Sequence, residues 1–467
     1  MLIVAAIALY VLAQIGVAVW AGRRTRGQAD YLVAGRNLGP ALVAMSLFAT
    51  WFGAETVMGA SAAVAQGGLS QARAEPFGYA LCLLLMSLFV AGRLRAGGYL
   101  TLGDFFRERF GPASETLAVA VNVASAVTWA AAQMTALAVI VSSLTDLPVQ
   151  LTLAGAAVLV IGYTAAGGLM GDVITDLIQG GVLIVGLLIL LVAVVMRAGG
   201  AGEAAALVDP AALSLIAPGE SALARLDAWA VPVLGSLVTV EAVGRFLGAR
   251  STRAAQVGAL GGAGLYLLVG LIPLLIGLIG GRLGLVQGAG EQFLPVLAQQ
   301  LLPPVLMVVL IGALLSAVLS TVDSNILAAS GLLTRNVVER LRPETDERTR
   351  LLTTRLVTVL CGLVAWGVAT LGESIYSLVE WTSALGTSGV LVAFLFGAWS
   401  RLGDGRACVA AIVAGLACNG ATMLLPALQG RDETPGAFLL SIAVSLAAYL
   451  LASTRGRRRS AAAPAPL

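Results

Sequence analysis

Phe48-Ala49-Thr50-Trp51-Phe52-Gly53-Ala54-Glu55 is an apolar stretch interrupted by a glycine and followed at once by a carboxylate. Gly235-Ser236-Leu237-Val238-Thr239-Val240-Glu241 repeats the pattern, and both lie inside runs long enough to cross a bilayer. Glycine-interrupted spans at corresponding positions of two halves point to an inverted repeat in which unwound backbone lines a site near the midplane.

The rest of the chain supports a membrane setting. Of its 467 residues 58% are hydrophobic and 11% charged, with 56 glycines and a net charge of +3. A soluble domain carries about a quarter charged residues. Apolar runs near 2–21, 39–66, 76–94, 114–143, 149–168, 174–197, 228–248, 257–281, 303–332, 352–371, 376–399, 405–427 and 436–453 predict thirteen transmembrane helices, at about 20 residues per crossing. All 28 basic residues are arginines, and with the N-terminus outside only Arg73, Arg197, Arg225, Arg282 and Arg431 fall on the external side. Arg245 belongs to the cytoplasmic loop set in this reading. That asymmetry fixes the expected orientation in the plasma (inner) membrane, with a cytoplasmic C-terminus.

The transmembrane domain is expected over 1–454. The two repeats are expected over about 39–197 and 228–399, within a core of segments 2–11 at about 39–399, with an Arg-rich tail at 455–467. The N-terminal run lacks a basic leader and cleavage site and reads as a retained helix. The stretch at about 198–227 reads as loop. Cys82, Cys361, Cys408 and Cys418 lie in or beside apolar segments without metal-ligand spacing, and the absence of His removes histidine metal sites and His-based catalytic triads. Neither an enzyme nor a nucleic-acid-binding module is indicated.

Ser316-Ala317-Val318-Leu319-Ser320-Thr321-Val322-Asp323-Ser324-Asn325 is the second informative stretch. An intramembrane Asp costs roughly 2.5–3.5 kcal/mol on insertion scales and is a functional candidate by default. Ser320, Asp323 and Ser324 share one helical face, and hydroxyls, carbonyls and a carboxylate suit a hard cation such as Na⁺. The competing reading is that these hydroxyls bond back to their own helix and permit close packing. If the helix unwinds at Gly53, the carbonyls of Ala49 to Phe52 lose their internal donors. Gly53 and Gly59 could instead serve close helix packing.

Glu55, Glu241, Asp323 and Glu380 are four acids within apolar runs, read here without an arginine among them. They predict an interior suited to cations, or protonated carboxyls. Trp51, Tyr79 and Trp129 lie well inside their segments and could form cage walls for an organic cation or simply pack. In Tyr163–Gln179, which enters segment 6, Asp176 could line an ion exit or cap the helix.

The patterns at Tyr163–Gln179 and Ala317–Ser324 resemble the two strongest signatures of the sodium:solute symporter family. Ala49-Thr50-Trp51 through Gly59, Glu75–Tyr79, Gly98–Thr101 and Asp323–Leu327 are similar to its high-affinity choline transporter branch. The resemblance spans roughly Leu2 to Leu451. It implies a leucine-transporter-like core, with sodium ligands at the carbonyls of Ala49, Phe52 and Ala317 and the hydroxyls of Ser320 and Thr321. It further implies a second cation contact or ion path at Asp323, Ser324 and Asp176. The solute would sit among Trp51, Glu55, Tyr79, Trp129, Thr239, Glu241 and Glu380. Where that branch implies a cage Trp near Thr239, this chain has Thr-Val-Glu, and Glu55 and Glu380 replace uncharged positions.

The combined expectation is an all-α membrane protein that imports a small organic solute, an amine or choline-like cation among the options, together with Na⁺ by alternating access. A proton-coupled symporter using Glu55, Glu241 or Glu380 and a membrane sensor remain as alternatives.

Overall fold

The computed structural model describes residues 2–145, 147–286, 288, 290–343, 346–371, 387–428 and 435–461. Among them the elements are helical, and the only extended pairing is an isolated bridge between Leu38 and Ala249. The helices that matter for the site are α1 (Leu2–Gly22), α2 (Pro40–Trp51), α3 (Glu55–Gly67) and α4 (Ala74–Gly97). They continue with α5 (Pro112–Thr145), α6 (Val149–Arg197), α7 (Ala222–Gly235), α8 (Val240–Gly248) and α9 (Thr252–Gly280). The last are α10 (Pro304–Leu333), α11 (Glu347–Leu371), α12 (Thr387–Trp399), α13 (Gly405–Leu428) and α14 (Ala437–Ala461).

Eight described helices are long and apolar enough to cross a membrane, or up to ten if each of two bent pairs is one span. Those pairs are α2 with α3, bent by 65°, and α7 with α8, bent by 41°. They coincide with the two glycine-interrupted stretches. The pairs are also tied together: the Leu38 amide, leading into α2, donates to Gly248 at 3.0 Å, and the Arg250 amide, following α8, donates to Leu38 at 2.9 Å.

The count of spans departs from thirteen partly because two apolar runs fall in one helical stretch, α6. Its 49 residues would extend about 74 Å if straight, more than twice the hydrocarbon thickness. Gly168 breaks it, with φ 60° and ψ −168°. A Cβ there would stand 2.7 Å from the Tyr31 ring and 2.9 Å from its carbonyl, so the break requires glycine. The Tyr31 hydroxyl lies 3.1 and 3.2 Å from the carbonyls of Thr164 and Ala165 and serves the backbone freed by the break. The connection between these two runs is therefore a kink rather than a loop.

Burial ranks the spans. The apolar window of α10 is 72% buried and that of α14 only 28%, which makes α10 central and α14 peripheral. On α6, Val158, Val185 and Val192 are exposed on the outer surface, as the apolar solvent of a bilayer favours.

Part of the stretch expected as loop is ordered. Ala201–Leu207 is helical, and Glu220 pairs with Arg73 at 2.5 Å and Arg225 at 3.5 Å. The hydrogen bond from Arg73 holds the Glu220 carboxyl below the usual range. In a separate cluster, Asp104 and Glu115 meet Arg107, Arg335 and Arg340. The helix of α14 runs to Ala461, into the segment expected as a tail.

Candidate functional site

The site begins where α2 stops. Phe52 has φ −88° and ψ 67°, and its amide is the last to donate back into α2, to Phe48. The Ala54 amide turns instead to Gln133 Oε1 at 3.3 Å. Carbonyls at the end of α2 thus face neighbouring side chains. The Ser320 hydroxyl lies 2.7 Å from Ala49 O and 3.2 Å from its own Ala317 O, and the Thr321 hydroxyl 2.8 Å from Thr50 O and 3.1 Å from Ala317 O. A hydroxyl has one proton to give, and in both cases the nearer acceptor is on α2. Ala49, Ala317, Ser320 and Thr321 therefore converge at the α2–α10 contact, and Phe52 closes the same turn. Ser316 differs, because its hydroxyl bonds back to Gly312 at 2.6 Å and also meets Tyr10.

Gly53 leaves room for a neighbouring side chain. A Cβ there would lie 2.7 Å from both carboxylate oxygens of Glu55, which folds back over the break. Gly59, by contrast, faces nothing closer than Glu55 Cβ at 3.9 Å, so close interhelical packing does not explain it.

Beside this junction lies a cavity of about 390 Å³. Trp51, Glu55, Tyr79, Trp129, Thr239 and Glu241 all line it, as do Thr50 and Thr321 from the α2–α10 contact. The cavity extends toward Asp227 and Phe438, at the starts of α7 and α14. Trp51 meets Tyr79 edge to face at 5.7 Å, and its Nε1–H donates to Glu241 at 3.0 Å. Gln133 Nε2 donates to Glu55 at 2.6 Å. Glu380 falls outside the described residues.

Beside the cavity is a charged floor of which the sequence reading names Asp176, Asp323 and Ser324 but not Asp172 or the inward-facing Arg245. Arg245, assigned there to a cytoplasmic loop, is 1% exposed inside α8. Its guanidinium reaches Asp172 at 2.6 Å and Asp176 at 3.2 Å, donates from Nε to Ser46 at 3.1 Å, and contacts Ser324. Asp172, Asp176 and Asp323 are all buried and bring carboxylate oxygens within 4.8 Å of one another. Asp176 also accepts from Ser46 at 2.5 Å and Thr50 at 3.3 Å. One oxygen of Asp176 and one of Asp323 are buried without a hydrogen-bond partner. Asp176 lies past the Gly168 break within continuous helix, so it is not the helix cap that one reading allowed.

Two further buried residues were outside the expected site. Glu75 accepts from Tyr266 at 2.5 Å, and the same hydroxyl lies 3.2 Å from Trp51 O. The Asp172/Asp176 and Glu241/Arg245 spacings of four residues were the available signal, since each pair shares a helix face.

Broken apolar spans packed on a central helix around a largely apolar cavity that carries a few polar groups define a helical membrane transporter. The model of the sodium:solute symporter family matches residues 31–414, and the chain belongs to that family. It is 28% identical over 414 residues to the high-affinity choline transporter 1 of Torpedo marmorata, covering 80% of this chain and 68% of the relative. It is 27% identical over 454 residues to the high-affinity proline transporter PutP of Bacillus subtilis (strain 168), covering 92% and 93%. Its fold matches that of a Na⁺-coupled sialic acid symporter in a substrate-bound outward-open state, with a TM-score of 0.84, 16% identity and 98% of each chain covered. Membership makes the chain an integral membrane symporter rather than an enzyme. The relatives differ in the solutes they are named for, so likeness alone does not select one.

Proposed function

We propose that the chain imports a small organic solute coupled to Na⁺ by alternating access. The observation that carries this reading is the α2–α10 junction, where the Ser320 and Thr321 hydroxyls lie 2.7 and 2.8 Å from carbonyls freed by the break in α2. Na⁺ would replace the hydroxyl protons as the partner of those oxygens, held by the carbonyls of Ala49, Phe52 and Ala317 and the hydroxyls of Ser320 and Thr321. The solute would occupy the adjoining cavity, among Trp51, Glu55, Tyr79, Trp129, Thr239 and Glu241, with Glu380 as a further proposed contact.

In this scheme thirteen crossings enclose a 5+5 inverted-repeat core. α2 belongs to the first repeat and α10 to the second, so an ion between them binds one conformation better than the other, which coupling requires. The cavity reaches the starts of α7 and α14, which face outward if the N-terminus is external. Opening inward would part Arg245 from Asp172 and Asp176 and give Na⁺ a path past Asp323, Ser324 and Asp176. The contacts of Arg73 and Arg225 with the same Glu220 are in keeping with those two arginines sharing one side, as that orientation requires.

Proteoliposome uptake of a panel of amines, betaines, amino acids and carboxylates tests the reading. Accumulation should require an inward Na⁺ gradient. Uptake driven equally by a proton gradient in Na⁺-free medium would replace it with the proton-coupled alternative. The observation behind that second reading is the group Asp172, Asp176 and Asp323 beside the single guanidinium of Arg245, whose surplus of buried carboxylate a proton could occupy as well as a cation.

A further inference from the structure

We infer that the solute is a small ammonium cation that still carries N–H bonds, a primary or secondary amine in its protonated form, rather than a quaternary ammonium. The inference rests on the cavity being the solute site, whichever ion drives uptake.

Glu55 and Glu241 line the cavity with Trp51, and among the described residues no arginine lines it. Asp227, at the far end, is engaged by the Leu439 amide at 2.8 Å. The side-chain donors on the two glutamates are neutral, Trp51 Nε1–H on Glu241 and Gln133 Nε2–H on Glu55. These contacts fix the carboxylates without neutralising them. Glu241 is 8% exposed, and the neighbouring Thr239 also lines the cavity. Carboxylates held by neutral donors, with a hydroxyl oxygen beside one of them, offer acceptors to a cation that donates hydrogen bonds.

A quaternary ammonium cannot use this pair. It has no N–H, so it would leave the remaining acceptor capacity of the carboxylates unused once water is displaced, and it depends on aromatic faces instead. Trp51 and Tyr79 meet edge to face, and the polar edge of the Trp51 ring is already committed to Glu241. A site built for hydrogen bonding rejects analogues that lack the donor far more strongly than an apolar site rejects a missing methyl.

The test is calorimetric binding to the purified full chain of ethanolamine, N-methylethanolamine, N,N-dimethylethanolamine, choline and neutral N-acetylethanolamine, each in sodium and in potassium chloride. The series changes N–H count and charge on one scaffold. Kd should rise at least tenfold from ethanolamine to choline, with no binding of the neutral compound. Glu241→Gln should bring the ethanolamine-to-choline ratio close to one, and Glu241→Asp should keep the wild-type order. Choline binding as tightly as ethanolamine overturns the inference, as does failure of every amine to bind. The salt comparison separates the two readings: the expected order persisting unchanged in potassium chloride would sink sodium coupling alone, and a flat series that still needs sodium would sink the inference alone.

Discussion

The floor of the molecule and the wall of its cavity both hold buried carboxylates, but they are neutralised differently. Asp172 and Glu241 are 5% and 8% exposed, so depth in the protein does not separate them. Asp172 and Asp176 have the guanidinium of Arg245 against them, whereas Glu55 and Glu241 are held by the neutral donors Gln133 and Trp51. Where the chain supplies its own cation the structure is closed, and where it supplies only neutral donors a cavity of about 390 Å³ remains. Under the proposed function, the contrast would have the floor hold one conformation and the wall receive the solute.

The largest effect should come from removing the built-in cation. Arg245→Met leaves Asp172 and Asp176 uncompensated and should cost about 3–5 kcal/mol, read as a lower thermal unfolding midpoint in detergent. Adding Asp172→Asn to that variant should recover much of the loss. An unshifted midpoint for the single variant would erase the distinction between floor and wall.

The junction between the two regions should respond in function more than in stability. Ser320→Ala and Thr321→Ala should each raise the Na⁺ concentration for half-maximal uptake about tenfold, equivalent to about 1.4 kcal/mol, with the unfolding midpoint near wild type. Wild-type sodium dependence in both would remove the proposed ligand set.

A subtler probe acts on the wall. Gly53→Ala puts a Cβ 2.7 Å from both oxygens of Glu55 and should push that carboxylate away from Gln133. The expected cost is about 1–2 kcal/mol, read as weaker solute binding in calorimetry. Unchanged affinity would mean that Glu55 is not held in its working position by the break.

Ser316→Ala should do least. Its hydroxyl bonds back within α10 and to Tyr10, so the loss should be about 1 kcal/mol or less in stability, with Na⁺ half-saturation unchanged. A large shift in sodium dependence would extend the junction one turn further along α10.

Much of this organisation was legible in the residues because it is local. Glycine followed by glutamate within an apolar run marked both breaks, and hydroxyls one turn apart marked the face of α10 that meets them. Arg245 was misread for a reason that is also local: an arginine near the end of an apolar run ordinarily snorkels to the interface. Only the packing of α8 against α2, α6 and α10 turns it inward onto Asp172 and Asp176. Glu75 escaped notice because its partner, Tyr266, is 191 residues away.

By itself the sequence determined that this is a helical membrane protein, where its two spans break, and which of its helices carries oxygens on one face. Those properties follow from the cost of polar groups in lipid and from the 3.6-residue period, both readable from short windows. Which carboxylates acquire a cation and which face an open cavity was decided only by the tertiary structure. Charge neutralisation acts between atoms a few ångströms apart, and the partners come from helices 69 to 73 residues distant for Arg245 with Asp176 and Asp172, and 190 for Trp51 with Glu241.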